Sequence, residues 1–156
     1  MCAAGDAGER LGSATSELPL ERIRHVAEFR AALRAFLRRS ERIAQNWGLT
    51  PQRYLLLLAI EGAPDGSRRL SFTDLSHRLQ LSRNTVTELC ARAQDAGLIL
   101  REPSDLDARV VYLRLTEDGH RRLYGAVVEN EADRAHLVHA FEELSESFRL
   151  ATRRPG

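Results

Sequence analysis

The stretch LSRNTVTELCARAQDAGL, residues 81 to 98, places Arg83, Asn84, Thr87 and Glu88 within a few positions of one another. These side chains share directional hydrogen bonding. Asparagine can pair with two atoms of adenine, threonine can meet a thymine methyl, arginine reads guanine or neutralises phosphate, and glutamate accepts from the cytosine amino group. At about 100° per residue, Asn84, Thr87, Glu88 and Ala91 fall on one side of a helix with Arg83 beside them, and Val86, Leu89, Cys90 and Ala93 fall on the other. The other candidate chemistry is thinner. A thiol at Cys90 could disrupt this helix on oxidation, the basis of a redox-sensing reading, but its apolar neighbours describe a small core hydrophobe. Cys2 has no defined neighbours, and the two cysteines do not suggest a disulfide framework. His136 and His139, three apart, could share a metal with Glu142 or Glu143, although no Cys or Asp cluster accompanies them. His25, His77 and His120 read as solvated or hydrogen-bonded side chains. The sequence has no Gly-rich phosphate loop, nucleophile motif or catalytic carboxylate pair, so neither an enzymatic activity nor a cofactor is expected.

The elements that would position these residues follow from the apolar spacing. Residues 1–18 are small and polar and are expected to form a mobile arm that Pro19 ends. From Leu20 to Trp47 apolar residues recur every three or four positions, predicting an amphipathic helix too long for this chain to cover alone. Thr50 and Pro51 start a second helix that Gly62 stops; its run from Tyr54 to Ile60 is apolar all round and belongs at the centre of the fold. GAPDGSRR is a loop. Ser71 caps the next helix, with Leu70 and Leu75 spaced as a hydrophobic staple. Ser82 caps the helix of the opening stretch, which runs to about Ala96 and ends at Gly97. Two short helices around a three-residue turn make a helix-turn-helix, whose second helix buries one face and offers the other to a DNA major groove. LILRE and RVVYLRLT then alternate as two strands around PSDLDA, the hairpin of a wing. Thr116 caps a helix containing Leu123, Val127 and Val128. A final stretch presents Leu137, Val138, Phe141, Leu144 and Phe148.

This ordered pattern resembles the MarR family of winged helix-turn-helix regulators from about Gly48 to Gly119, through GLTPQRYLLLLAI, LSFTDLSHRLQLSRNTVTELCARAQDAGLILRE and DARVVYLRLTEDG. The resemblance implies a homodimer with interlocked terminal helices, two heads on an inverted repeat, and repression relieved by a small molecule or oxidant. By position it assigns Arg83, Asn84, Thr85, Thr87 and Glu88 to bases and phosphates, and lets the caps Ser71 and Ser82 reach the DNA backbone. Arg109 matches the wing arginine, with Asp107 as its structural partner. Trp47 and Tyr54 flank the place where relatives hold an aromatic effector, between the dimer helices and the reading head. Two positions depart from the pattern. Ala108 stands where many relatives carry an arginine, and Glu88 puts a negative charge on the DNA-facing side, with Asp105 and Asp107 at the wing tip.

Bulk properties agree with a soluble globular chain: 156 residues, 43% hydrophobic and 29% charged, with a net charge of +1. All basic residues are arginine. No apolar run spans a bilayer and MCAAGDAGER lacks a secretion signal, so no membrane partner and a cytoplasmic location are expected. The expected fold is mainly α: a winged helix-turn-helix domain with a small β-hairpin wing, flanked by N- and C-terminal dimerisation helices. Its divisions are an arm at 1–18, a dimerisation helix at 19–47, the DNA-binding domain at 48–116 and dimerisation helices at 117–152. The expected partners are double-stranded DNA, a second copy of the chain and a small aromatic effector. The near-neutral charge, Glu88 and Ala108 also fit a second class of protein, a winged-helix scaffold serving as a protein-interaction or ligand-sequestering module.

Overall fold

The computed structural model describes residues 20–104, 106, 107 and 109–152. The arm at 1–18, Cys2, Asp105, Ala108 and the side chain of Phe148 lie outside the described residues. Helix α1 (Leu20–Asn46) is followed by α2 (Pro51–Glu61), β1 (Leu70–Ser71), α3 (Phe72–Leu79), α4 (Arg83–Asp95), β2 (Ile99–Pro103), β3 (Val111–Leu115), α5 (Glu117–Glu129) and α6 (Glu131–Thr152). The chain divides into two compact units. Among the described residues, one joins those up to Leu37 with those from Ala132 onward, and the other is Arg38–Glu131. Residues 38–46 of α1 and all of α5 therefore cluster with the winged-helix segment.

The larger unit holds the core. Leu56, Leu57, Ile60, Leu75, Val86, Cys90, Ala93 and Leu113 are buried completely, joined by Ile43, Ala44, Leu49, Leu98, Leu123 and Ala126. The caps read from the sequence organise it. Thr50, Ser71, Ser82 and Thr116 each sit in extended backbone and accept a hydrogen bond from the N–H three residues on, which satisfies one of the unpaired donors of each first turn. Gly48 and Gly97 adopt positive φ where α1 and α4 stop. The sheet is antiparallel in the order β1-β3-β2. Ile99 pairs with Leu115 and Arg101 with Leu113, so Ile99, Leu113 and Leu115 turn inward while Leu100, Glu102 and Arg114 turn outward. The third strand, β1, pairs Leu70 with Leu113 and Ser71 with Tyr112. At two residues it carries no alternation that a sequence reading could register.

Helix α2 departs from the expectation of burial all round. Tyr54, Leu56, Leu57, Ala59 and Ile60 are buried, but Leu55 is 54% exposed and Leu58 is half-buried. One side of this helix therefore stays open within a single chain. In the smaller unit, Phe29 of α1 and Phe141 of α6 meet with ring centroids 5.9 Å apart. Part of the apolar stripe of α1 is uncovered: Leu20, Ile23, Val26 and Leu37 are exposed, as are Val138 and Phe141 on α6, while Leu33 and Phe36 are half-buried and Ile43 and Ala44 are buried.

Candidate nucleic-acid interface

The turn between α3 and α4 is Gln80–Leu81–Ser82, and it is held rigidly. Gln80 closes α3 in the left-handed region at φ 54°, Leu81 N–H reaches the Ser76 carbonyl at 3.2 Å, and the Ser76 hydroxyl donates to the Leu81 carbonyl at 2.6 Å. Leu81 packs on the core from this turn. The Ser82 hydroxyl accepts from Thr85 N–H at 3.2 Å and lies 2.8 Å from the Thr85 hydroxyl, so α4 begins at a fixed point.

The two sides of α4 are sorted as their spacing requires. Val86, Leu89, Cys90 and Ala93 are buried, while Arg83, Asn84, Thr87 and Glu88 are exposed and Ala91 and Thr85 are half-buried. Several polar groups on the exposed side are already engaged. Thr87 donates its hydroxyl to the Arg83 carbonyl at 2.9 Å. Arg83 donates from Nη2 to the Thr73 hydroxyl of α3 at 3.0 Å. Ser71 accepts from Asp74 N–H at 3.2 Å and donates to the Asp74 carboxylate at 2.6 Å, so its role as a cap occupies both functions of its hydroxyl. At its far end α4 is met by α2, where Arg53 donates to the Arg92 carbonyl at 3.3 Å, a cation at a helix C-terminus.

In the wing, the Ser104 hydroxyl accepts from the N–H groups of Leu106 and Asp107, and Ser104 N–H reaches the Val110 carbonyl at 3.0 Å. Asp107 does partner Arg109, but through the backbone: its carboxylate accepts from Arg109 N–H at 2.9 Å. The exposed Arg109 side chain is thus carried on a loop that Asp107 shapes. On the outer sheet face, Arg69 stacks over Tyr112 at 4.4 Å and, with Arg114, flanks Glu102 at 3.6 and 3.5 Å.

Cys90 has no exposed surface, and burial pushes its thiol up to about 11. Reactive cysteines have the opposite character. His139 lies 3.7 Å from Glu143, and among the described residues no group of three or more His, Cys, Asp and Glu side chains could hold a metal.

A cavity of about 500 Å³ opens beside α2, lined by Leu58, Glu61, Gly62, Arg68, Leu123, Tyr124 and Val127. Neither Trp47 nor Tyr54 lines it. Tyr54 is in the core; Trp47 donates its indole N–H to Glu129 at 2.8 Å and lies against Gly125. Glu61 is the polar centre of this cavity. Its Oε1 accepts from Arg68 Nε at 2.6 Å and from the Tyr124 hydroxyl at 2.9 Å, and its Oε2 lies 3.5 Å from His120 Nδ1. The Glu61 carboxylate raises the pKa of the Tyr124 phenol by accepting its proton in a hydrogen bond. Reading by sequence missed this cluster, because its members are spread over 63 positions and belong to no motif.

Comparison with known proteins bears on this geometry. The family model described as MarR family matches residues 47–110. The HTH-type transcriptional regulator FarR of Neisseria gonorrhoeae is 32% identical over 94 residues, 60% of this chain, and the chain spans 56% of that relative's length. Two solved structures from Streptomyces coelicolor share the fold. AbsC, a MarR family transcriptional regulator, has a TM-score of 0.65 at 21% identity, covering 88% of this chain and 96% of its own. Sco3205, a MarR family regulator solved in complex with DNA, has a TM-score of 0.62 at 21% identity, covering 90% and 92%. The matched segment takes in the capped turn, the two-sided α4 and the start of the wing, and over it this chain is similar to the MarR family of winged helix-turn-helix proteins.

Proposed function

We propose that this protein is a sequence-specific DNA-binding transcriptional regulator: a homodimer that represses from a pseudo-palindromic operator and is released by a small effector. The observation that carries the reading is the sorting of α4, with Asn84, Thr87 and Glu88 exposed on a helix whose other side is locked into the core. Such a helix, following a rigid turn, can enter a major groove without reorganising. Asn84 is assigned to a base, the exposed Thr87 to a thymine methyl, and Arg83 and Arg109 to guanine or phosphate. Ser82 and Thr85 lie at the helix start, where backbone phosphates approach, and Ser71 lies at the start of α3. The second copy is supported by the uncovered apolar residues of α1 and α6, which water would otherwise solvate. Two-fold symmetry then sets half-sites roughly 10 base pairs apart. Effector release is supported by the cavity beside α2, whose size suits a small organic molecule. Similarity over the winged-helix segment to FarR supports the regulatory reading.

The test is selection of bound fragments from the source genome, followed by anisotropy titration of the selected duplex at increasing salt. A DNA reader loses affinity steeply as counterions are released, and Asn84→Ala flattens its sequence preference by about 1–3 kcal/mol at one position per half-site. If no duplex is enriched, or if the selected duplex binds no better than random sequence, the reading fails and the exposed Glu88 favours a protein-interaction module instead.

A further inference from the structure

Arg83 is the first residue of α4, and its side chain does not extend freely from the helix start. It reaches back across the turn to α3, where its Nη2 donates to the Thr73 hydroxyl at 3.0 Å. Both residues are exposed, so this contact crosses the open mouth of the helix-turn-helix rather than its core. From this geometry we infer that Thr73 is the positioning residue for Arg83, fixing one corner of the guanidinium so that its remaining N–H groups are aimed as a planar fork at the ligand of this face. The inference rests on the DNA-binding reading for the identity of that ligand and on geometry alone for the positioning.

The physical reason is the entropy of a long side chain. An arginine has rotamer freedom to lose when it makes a bidentate contact, and a hydrogen bond made beforehand has already removed part of it. Only one of its five donors goes to Thr73. The others stay available for the O6 and N7 of guanine or for two phosphate oxygens. The Thr73 hydroxyl accepts this bond. Serine would preserve this chemistry; valine, which matches threonine in shape, would remove it.

Two measurements test the proposal. The first is a double-mutant cycle on the selected operator with Thr73→Val, Thr73→Ser, Arg83→Ala and the Thr73→Val/Arg83→Ala pair. Thr73→Val is expected to weaken binding three- to tenfold, Thr73→Ser to stay within twofold of the parent, and Thr73→Val to add less than twofold once Arg83 is absent. An equal loss in the Arg83→Ala background, no loss in either, or failure of serine to rescue overturns it. The second needs no DNA: arginine side-chain NMR of the whole protein, in which the Arg83 guanidinium rotates slowly in the parent and in Thr73→Ser and freely in Thr73→Val. Equal mobility in parent and Thr73→Val overturns the positioning even if no operator exists. Restricted rotation with no DNA affinity leaves the positioning standing and removes the DNA reading.

Discussion

Gly119→Ala tests whether the junction between wing and α5 is set by backbone contact. A Cβ built on Gly119 would stand 2.1 Å from the Leu98 carbonyl oxygen and 3.1 Å from its carbon. Ordinary carbon–oxygen contacts lie at about 3.3 Å or beyond, so the two segments must part by roughly 1 Å. The oxygen cannot rotate away. It accepts from Thr116 N–H at 3.0 Å, and the Thr116 hydroxyl in turn donates to the Gly97 carbonyl at 2.6 Å and accepts from Gly119 N–H at 3.1 Å. Overpacking of this kind costs about 1–3 kcal/mol, at the upper end where the obstacle is backbone. Alanine in a helix recovers about 1 kcal/mol over glycine. The net expectation is destabilisation by about 2 kcal/mol, which lowers Tm by roughly 4–8 °C in a chain of this length. Gly97→Ala is the control. Nothing lies within 4 Å of its built Cβ, and only its φ of +70° is strained, so its cost is about 1 kcal/mol. Thermal unfolding followed by circular dichroism ranks the two. A Gly119→Ala protein as stable as the parent, or more stable than Gly97→Ala, would refute the argument that this contact fixes the junction.

Three further outcomes are expected. Because burial raises the Cys90 thiol to about 11 from an ordinary 9.0, the folded chain holds that proton more tightly than the unfolded one. The stabilisation is complete below pH 9 and is lost as pH rises toward about 11, by roughly 3 kcal/mol; in the same native protein an alkylating reagent should leave Cys90 unmodified at pH 7.5, as mass spectrometry reads directly. Arg109→Ala should weaken operator binding and reduce the salt slope by about one counterion; an unchanged slope removes Arg109 from the phosphate contacts. Glu88→Gln should raise affinity for random duplex several-fold, because it removes an exposed negative charge from the reading face, and equal affinities would place Glu88 away from the phosphates.

What the sequence made legible follows from locality. The four cap residues Thr50, Ser71, Ser82 and Thr116 act on N–H groups three positions away, so the side-chain chemistry that starts each helix is visible in a window of four letters. The buried side of α4 was legible because a 3.6-residue period leaves Val86, Leu89, Cys90 and Ala93 no alternative orientation. Three things were not legible. β1 is defined by its pairing with β3, more than forty positions away, rather than by any pattern in its two residues. The opening of α2 at Leu55 and Leu58 depends on what packs against the helix, which an unbroken apolar run cannot state. The cavity joins Glu61, Arg68 and Tyr124 across three segments, and Arg68 reaches Glu61 from a left-handed backbone position, φ 57°, that nothing in its residue type announces.

The reading face is economical in free hydrogen-bonding groups, and this bears on how it would discriminate. The hydroxyls of Ser71, Ser82 and Thr87 already make bonds within the helix-turn-helix, and one donor of Arg83 is taken by Thr73. Among the described residues of the first two turns of α4, Arg83 to Glu88, the polar groups outside these bonds are the Asn84 amide, the rest of the Arg83 fork and the Glu88 carboxylate, of which one is positive and one negative. A face with no net charge draws little affinity from phosphates, whose attraction is the sequence-independent part of binding. Discrimination must therefore come from the few base-edge contacts, at about 1–3 kcal/mol each, and from the geometry that the capped turn imposes on them. Such a reader gains selectivity by binding random sequence poorly rather than its own site very tightly. The ratio of operator to random affinity should accordingly fall more on Glu88→Gln than the operator affinity itself rises.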